Sequence, residues 1–339
     1  MNVTFDSRAG KDSRGVGRYS RSLLAALIAC GRGTVIETHC PQRARSDLFH
    51  APWIDGALLH SPVPMVVTVH DLIALKKPSE LLRRGLRMQM RYLAAQRAVR
   101  LIVPTRVVAD DVIHALQIPA ERLEVIPEAA ATAFHPRPQQ ELDAVTSRYE
   151  LPDEYLLWVG GLKTPEPHKR VMQLARAKRS LPLVLVGPNG TWAHELPDVT
   201  LTGEVPDDDL AAIYTGAHAL VFPSNDEGFG LAPVEALACG TPVAACDVPA
   251  VREVMGDRAE LLPPDDIDAL VRAAEEATRP APASSSWTWA DAAEATWDVY
   301  ETAVSAPAGR ICQRGDRFLR ARRVKPAAAA PAEPSPARR

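Results

Sequence analysis

The chain has no apolar run that approaches the roughly 20 residues a membrane-spanning helix needs. Its opening residues, MNVTFDSRAG, lack the apolar stretch of a secretory leader. The five cysteines (Cys30, Cys40, Cys239, Cys246 and Cys312) are scattered, odd in number and never paired as C-x-x-C. That argues against a disulfide framework or a cysteine zinc site and fits a reducing cytoplasm. His39, His60, His114, His135, His194 and His218 share no ligand spacing, and no Asp-x-Asp metal pair stands out on independent grounds. Internal repeats are absent. A net charge of −3 leaves no global field to draw nucleic acid. The small sum hides an asymmetry: from Ala306 to Arg339 nine Lys/Arg face two acids, so this tail carries +7 and the body −10.

What is present is ordinary for a globular protein, 46% hydrophobic and 24% charged, and 339 residues suffice for two domains. Short apolar runs alternate with helix-period segments. Strands are expected at Asn2–Asp6, Met65–His70, Leu101–Thr105, Leu123–Pro127, Tyr155–Gly160, Leu183–Gly187, Val199–Gly203, Ala219–Ser224 and Pro242–Asp247. Several are apolar on successive residues, which suits parallel strands buried on both faces. Helical patterns lie between them, at Asp207–Tyr214 and Asp265–Ala277 among others. The alternation predicts an α/β fold with parallel sheets. The polar stretch FHPRPQQELDAVTSRYELP, with three prolines, breaks the pattern at Phe134–Pro152. The expected division is 1–145 and 146–288, two doubly wound, Rossmann-like domains facing across a cleft, then an amphipathic helix at 289–304 and a Pro/Ala-rich tail at 305–339, expected to be disordered. Ligands in such sheets sit beyond the carboxyl ends of the strands. That points to the loops after His70, Gly160, Gly187, Gly203 and Ser224.

One of these loops carries two glutamates, in DEGFGLAPVEALACGTPV (Asp226–Val243). Gly228 and Gly230 permit a tight turn and close approach to a ligand. A helix starting near Ala232–Pro233 would present N–H groups to a phosphate. Glu227 at the loop and Glu235 a turn into the helix are placed to meet ligand hydroxyls. Spacing alone favours the plainer reading, a solvated loop acid and an acid that offsets the helix dipole.

The segment EGFGLAPVE resembles the E-x7-E motif of family 4 retaining glycosyltransferases, which have the GT-B fold. The surrounding block FPSNDEGFGLAPVEALACGTPVAACDVPAVREV resembles that family's donor site, and GEVPDDDLAAIYTGAHALVFPS the block before it. RGVGRYSRSLL and VTVHDL resemble acceptor-side loops of its mannosyltransferase-like, group 1 members. The Trp-rich helix Ser286–Val304 resembles the one that crosses back onto the N-terminal domain. The resemblance covers about residues 1–304. It implies a donor domain in the C-terminal half and an acceptor domain in the N-terminal half. Glu227 would then contact donor sugar hydroxyls, with Ser224 at the base of its loop. Phe229, Gly230 and Leu231 would turn N–H groups to the sugar and diphosphate, and Glu235 would bind the ribose. Gly161 would lie near the diphosphate that Lys169 neutralises. His168 stands where the family usually has arginine, and Glu128-Ala129 replaces the usual Asn-Gly.

On the acceptor side, Gly15, Gly17 and Arg18 open a helix. That arrangement fits an anionic or sugar ligand, or simply a tight turn. His70 ends a buried strand, and the resemblance places it near the reacting centre, where it would orient the acceptor or the donor's hydroxyls. His50, in HAPW, is expected to be structural; HAPW comes early enough that one strand-helix unit is trimmed. The segment Leu81–Arg100 has six arginines and no acid. Arg84, Arg87 and Arg91 share one face, and Leu82, Leu86, Met90 and Leu93 form a stripe expected to pack in the core. The other reading of such a helix is a basic surface resting on anionic lipid.

Together these observations predict a cytoplasmic retaining hexosyltransferase, peripheral to the inner face of a membrane if Leu81–Arg100 touches lipid. It would take a nucleotide-diphospho-sugar, GDP-mannose first, to a saccharide, lipid-linked or small-molecule acceptor, without cofactor or metal. A GT-B phosphorylase or epimerase and a non-catalytic sugar-nucleotide-binding protein share the same logic.

Overall fold

The structure, a computed structural model, describes residues 1–12, 15–40, 45–73 and 78–306, with the backbone alone at 78–84, 86 and 87. Residues 307–339, with most of the basic tail and Cys312, lie outside the described residues. Met1–Ala306 packs as one compact unit.

Two six-stranded parallel sheets organise it. The first contains β1 (Asn2–Phe5), β2 (Thr34–Glu37), β3 (Leu48–Ala51), β4 (Met65–Thr68), β5 (Arg100–Val103) and β6 (Leu123–Val125), in the order β2-β1-β3-β4-β5-β6. The second contains β7 (Leu156–Val159), β8 (Leu183–Val186), β9 (Val199–Gly203), β10 (Ala219–Phe222), β11 (Val243–Cys246) and β12 (Glu260–Leu262), in the order β12-β11-β10-β7-β8-β9. Strands β4, β8, β10 and β11 are buried along their whole length, as their unbroken apolar sequences require. The strands not expected were β2, β3 and β12. Two are short edge strands, TVIE and ELL, with no fully buried residue. The third, LFHA, hides its strand character behind His50, which is wholly buried.

Ten helices among the described residues cover the sheets: α1 (Gly15–Cys30), α2 (Pro78–Gln96), α3 (Arg106–Leu116), α4 (Gln139–Tyr149), α5 (Val171–Arg176), α6 (Asp207–Gly216), α7 (Leu231–Ala238), α8 (Pro249–Met255), α9 (Ile267–Glu275) and α10 (Trp289–Ser305). Helix α4 occupies the stretch that looks like an interdomain break. Its Leu142 and Val145 join the core around the second sheet, so most of that polar segment is structured. The expectation of a trimmed strand-helix unit falls between β2 and β3, where residues 41–44 lie outside the described residues.

Helix α2 corrects one expectation. Met90 and Leu93 are exposed, and the buried face is Met88, Tyr92 and Ala95, offset from the expected stripe. Gly85 interrupts the helix with φ 50°, and Met90 and Leu93 both follow it, on the solvent side of the turn that buries Met88, Tyr92 and Ala95. Arg91 pairs with Asp55 at 2.7 Å rather than lying free on a basic face. The side chains of Leu82, Arg84, Leu86 and Arg87 are outside the described set. No helix among the described residues is long and apolar enough to cross a membrane.

Helix α10 returns to the first sheet. A capping box starts it, with Thr288 and Asp291 bonding each other's backbone N–H groups. It then lays Trp289, Trp297, Tyr300 and Ala303 against α1 and β1, in a cluster with Tyr19, Leu23, Leu27, Val3 and Phe5. Trp297 Nε1 donates to the Leu27 carbonyl at 3.3 Å, and Trp287 Nε1 to that of Pro127 at 3.0 Å. A second tie between the halves is Glu253 of α8, whose carboxylate accepts the Arg106 and Val107 N–H groups at the start of α3 (2.8 and 3.2 Å). Since Trp297 is wholly buried in the α1–α10 seam, Trp297→Ala is expected to cost about 3–5 kcal/mol of stability. Denaturant unfolding followed by far-UV circular dichroism measures this loss.

Candidate functional site

The carboxyl ends of both sheets open into one cleft of about 550 Å³. The second half supplies the loops after β7, β8, β9 and β10. The first half supplies the start of α1 and the loops after β4 and β6.

The loop after β10 is placed by its backbone. A Cβ on Gly228 would lie 1.9 Å from the carbonyl oxygen of His70, so only glycine lets this loop seat against the N-terminal half. Thr105 Oγ1 donates to the Gly228 carbonyl at 3.0 Å and holds it there. Gly230 then adopts φ 91°, which turns the chain into α7. No side chain caps the first turn of α7, and Phe229, Gly230 and Leu231 all line the cleft. Across it, a Cβ on Gly15 would sit 3.8 Å from Leu231 Cδ1.

Glu227 lines the same cleft and keeps part of its surface open to it. Burial nonetheless pushes its carboxyl up to about 7, against the Lys169 ammonium and the Ser224 hydroxyl, which pull it down. Lys169 is shared: its Nζ lies 3.0 Å from Glu166 Oε2, which His168 Nε2 also approaches at 3.6 Å. Lys169 and Gly161 line the cleft, as does Ser224 at the end of β10, whereas His168 is not among the lining residues.

Glu235 is wholly buried. Arg18 Nη1 donates to both of its oxygens, at 2.6 and 2.7 Å, and Tyr214 donates to Oε2 at 3.1 Å. Arg18 Nη2 reaches Asp207 at 3.0 Å, and the guanidinium lies 5.0 Å from the Phe134 ring centre. Burial alone would lower Arg18, but the Glu235 and Asp207 carboxylates overcome it and hold the guanidinium charged. Burial pushes the Glu235 carboxyl up while Arg18 and Tyr214 work against it. A carboxylate offers about four lone-pair positions, so with three donors one position on Oε1 stays open. Arg18, expected to serve an acceptor, thus reaches the glutamate of the other half. Gly17 does not line the cleft; it packs where a Cβ would meet the Asp12 carbonyl.

On the floor, His70 Nδ1 lies 2.9 Å from Glu128 Oε1, and Nε2 lies 2.9 Å from the Pro52 carbonyl. Burial works against its charge, but the Glu128 and Pro52 oxygens outweigh that and raise it above the ordinary histidine value. His50 is structural: wholly buried, it meets Tyr300 and Thr68, and burial pushes it down to about 3, so it is neutral. Arg18–Glu235, His70–Glu128 and Lys169–Glu166 are the pairings that sequence alone did not reveal. The first joins residues 217 positions apart, and only His70–Glu128 left a trace, as a departure from the family pattern.

Residues 153–279 match the family model described as Glycosyl transferases group 1, and residues 42–134 that of Glycosyltransferase Family 4. O-antigen chain mannosyltransferase B of Escherichia coli is 32% identical over 180 residues, 47% of this chain and 46% of that protein. The D-inositol 3-phosphate glycosyltransferase of Gordonia bronchialis is 29% identical over 265 residues, 68% of this chain and 58% of the relative. The chain therefore spans about half the length of these curated relatives. Anabaena Alr3699/HepE, solved with UDP-glucose, superposes with a TM-score of 0.67 at 16% identity, covering 90% of this chain and all of that one. The fold is GT-B, with the crossing C-terminal helix it implies.

Because the folded protein holds the Glu227 proton more tightly than the unfolded chain, this group's contribution to stability falls as pH rises from about 4.5 through about 7. Glu227→Gln is expected to raise the thermal midpoint at pH 8 and to leave it unchanged at pH 4.5. Thermal unfolding of both proteins across that range checks the sign; a pH-independent difference contradicts it.

Proposed function

We propose that this chain, whose segments match group 1 and family 4 glycosyltransferases on a GT-B fold, transfers a sugar with retention of configuration from a nucleotide-diphospho-sugar to an acceptor. The observation that carries this is the convergence of Glu227, Glu235, Lys169 and the uncapped start of α7 in one cleft between the halves. In this reading the diphosphate lies at the α7 N–H groups and takes Lys169 in competition with Glu166. Those donors, rather than a metal ion, stabilise the charge that develops on the leaving group. Glu235 accepts a ribose hydroxyl at its open position, and Glu227 faces the sugar. Closure of the cleft on a bound donor would exclude water and limit donor hydrolysis.

The E. coli relative's name makes GDP-mannose the first donor to try, and the HepE complex keeps UDP-sugars close behind. The same relative's name supports a saccharide acceptor, and the inositol phosphate relatives support small molecules as well. Exposed Met90, Leu93 and Arg97 on and just after α2 support a peripheral contact with anionic lipid, which suits a lipid-linked acceptor at the cytoplasmic face of a membrane.

Ligand binding stabilises by mass action, so a thermal-shift panel of GDP-, UDP-, ADP- and TDP-sugars is expected to single out one nucleotide. With that donor, Glu227→Ala should abolish transfer while folding and nucleotide binding persist. Glu235→Ala should weaken nucleotide binding at least tenfold. Undiminished transfer by the Glu227 variant would remove the assignment.

A further inference from the structure

The His70–Glu128 pair has a proton count that its geometry fixes. The Pro52 carbonyl can only accept, so Nε2 must carry a hydrogen to bond it at 2.9 Å. Nδ1 faces a carboxylate oxygen at 2.9 Å. A neutral imidazole has one N–H and one lone pair, and here both nitrogens face oxygen. One further proton must therefore lie on the ring or on Glu128. Histidine is the stronger base of the two, with an ordinary value near 6.5 against about 4.3 for glutamate, so the ring takes it. The surroundings agree. Asp71 adds negative charge beside the ring, and the nearby His50 of β3 is neutral. Glu128 is 6% exposed and would be costly to bury ionised without a cationic partner.

We propose that Glu128 is a positioning residue that fixes His70 as a doubly protonated imidazolium on the floor of the cleft. With both nitrogens committed to protein oxygens, His70 neither abstracts a proton nor donates a hydrogen bond to a sugar hydroxyl. It offers a stationary positive charge to an anionic group in the cleft. That use rests on the proposed donor site, where the anion is the departing diphosphate; the protonation itself does not. Glutamate in place of the usual Asn at residue 128 is what makes the charge permanent, since an amide would leave the ring to titrate in its ordinary range.

The test is nuclear magnetic resonance of the full chain labelled with 15N-histidine, with the His70 signals assigned by their loss in His70→Gln. In the wild type at pH 7.5 both His70 ring nitrogens are expected to be protonated, with a titration midpoint above the ordinary value near 6.5. In Glu128→Gln the proton affinity of His70 should fall at least tenfold. A single neutral tautomer in the wild type at pH 7.5, or an unchanged midpoint in Glu128→Gln, overturns the proposal. If that variant does not fold, the wild-type spectrum alone decides. Because the spectrum is read without a donor, its failure leaves the transferase reading standing. Equally, failure of every nucleotide sugar to bind leaves the imidazolium standing.

Discussion

The contact between Arg18 and Glu235 governs the rest of the site. Glu235 is wholly buried, and its charge is tolerable only because a guanidinium from the other half meets both of its oxygens. Removing one partner of such a pair typically costs about 3–5 kcal/mol, because the other charge is left buried and uncompensated. Arg18 is held in turn from outside the cleft. It lies near the start of α1, whose Leu23 and Leu27 are clamped by Trp297 and Tyr300 of α10. A helix at the far end of the chain thereby fixes where a cleft residue points. Once α1 and α7 are joined, the loop ahead of α7 comes to rest on His70, where only Gly228 has room.

The cleft built this way holds carboxylate–cation pairs in graded surroundings. Glu235 is spent largely on Arg18, and Glu128 on His70. Lys169 is tied to Glu166 more loosely, at a partly open position where an anionic ligand can compete for it. Among the described residues no ion pair forms at Glu227, and burial pushes its carboxyl up to about 7 against the pull of Lys169. The site thus combines fixed charges with one adjustable carboxyl and one exchangeable ammonium. That distribution suits a reaction in which an anion leaves and sugar hydroxyls must be held without free water.

Much of this was legible in the residues. Unbroken apolar strands such as ALVF and LVLV announced a parallel sheet, and the E-x7-E block located the loop and helix that carry both glutamates. The strand missed at LFHA was obscured because its polar member, His50, is satisfied by Tyr300 of a helix 250 positions away. The expected core stripe of α2 failed because two apolar faces compete in its sequence, and the helix buries Met88, Tyr92 and Ala95 and leaves Met90 and Leu93 exposed. The partners of the site residues were out of reach for a general one. Pairing across the two halves depends on how α1 and α10 pack, and neither helix shows in its own sequence which side chain of the other half it will meet.

In the proposed reading the cleft joining the two halves is a donor site assembled around Glu235 and the start of α7. A crystal structure of the chain with the bound nucleoside diphosphate tests it most directly. The diphosphate is expected between Lys169 and the first turn of α7, with the ribose against Glu235. A nucleotide seated elsewhere on the molecule, with Glu235 and Lys169 untouched, would contradict it.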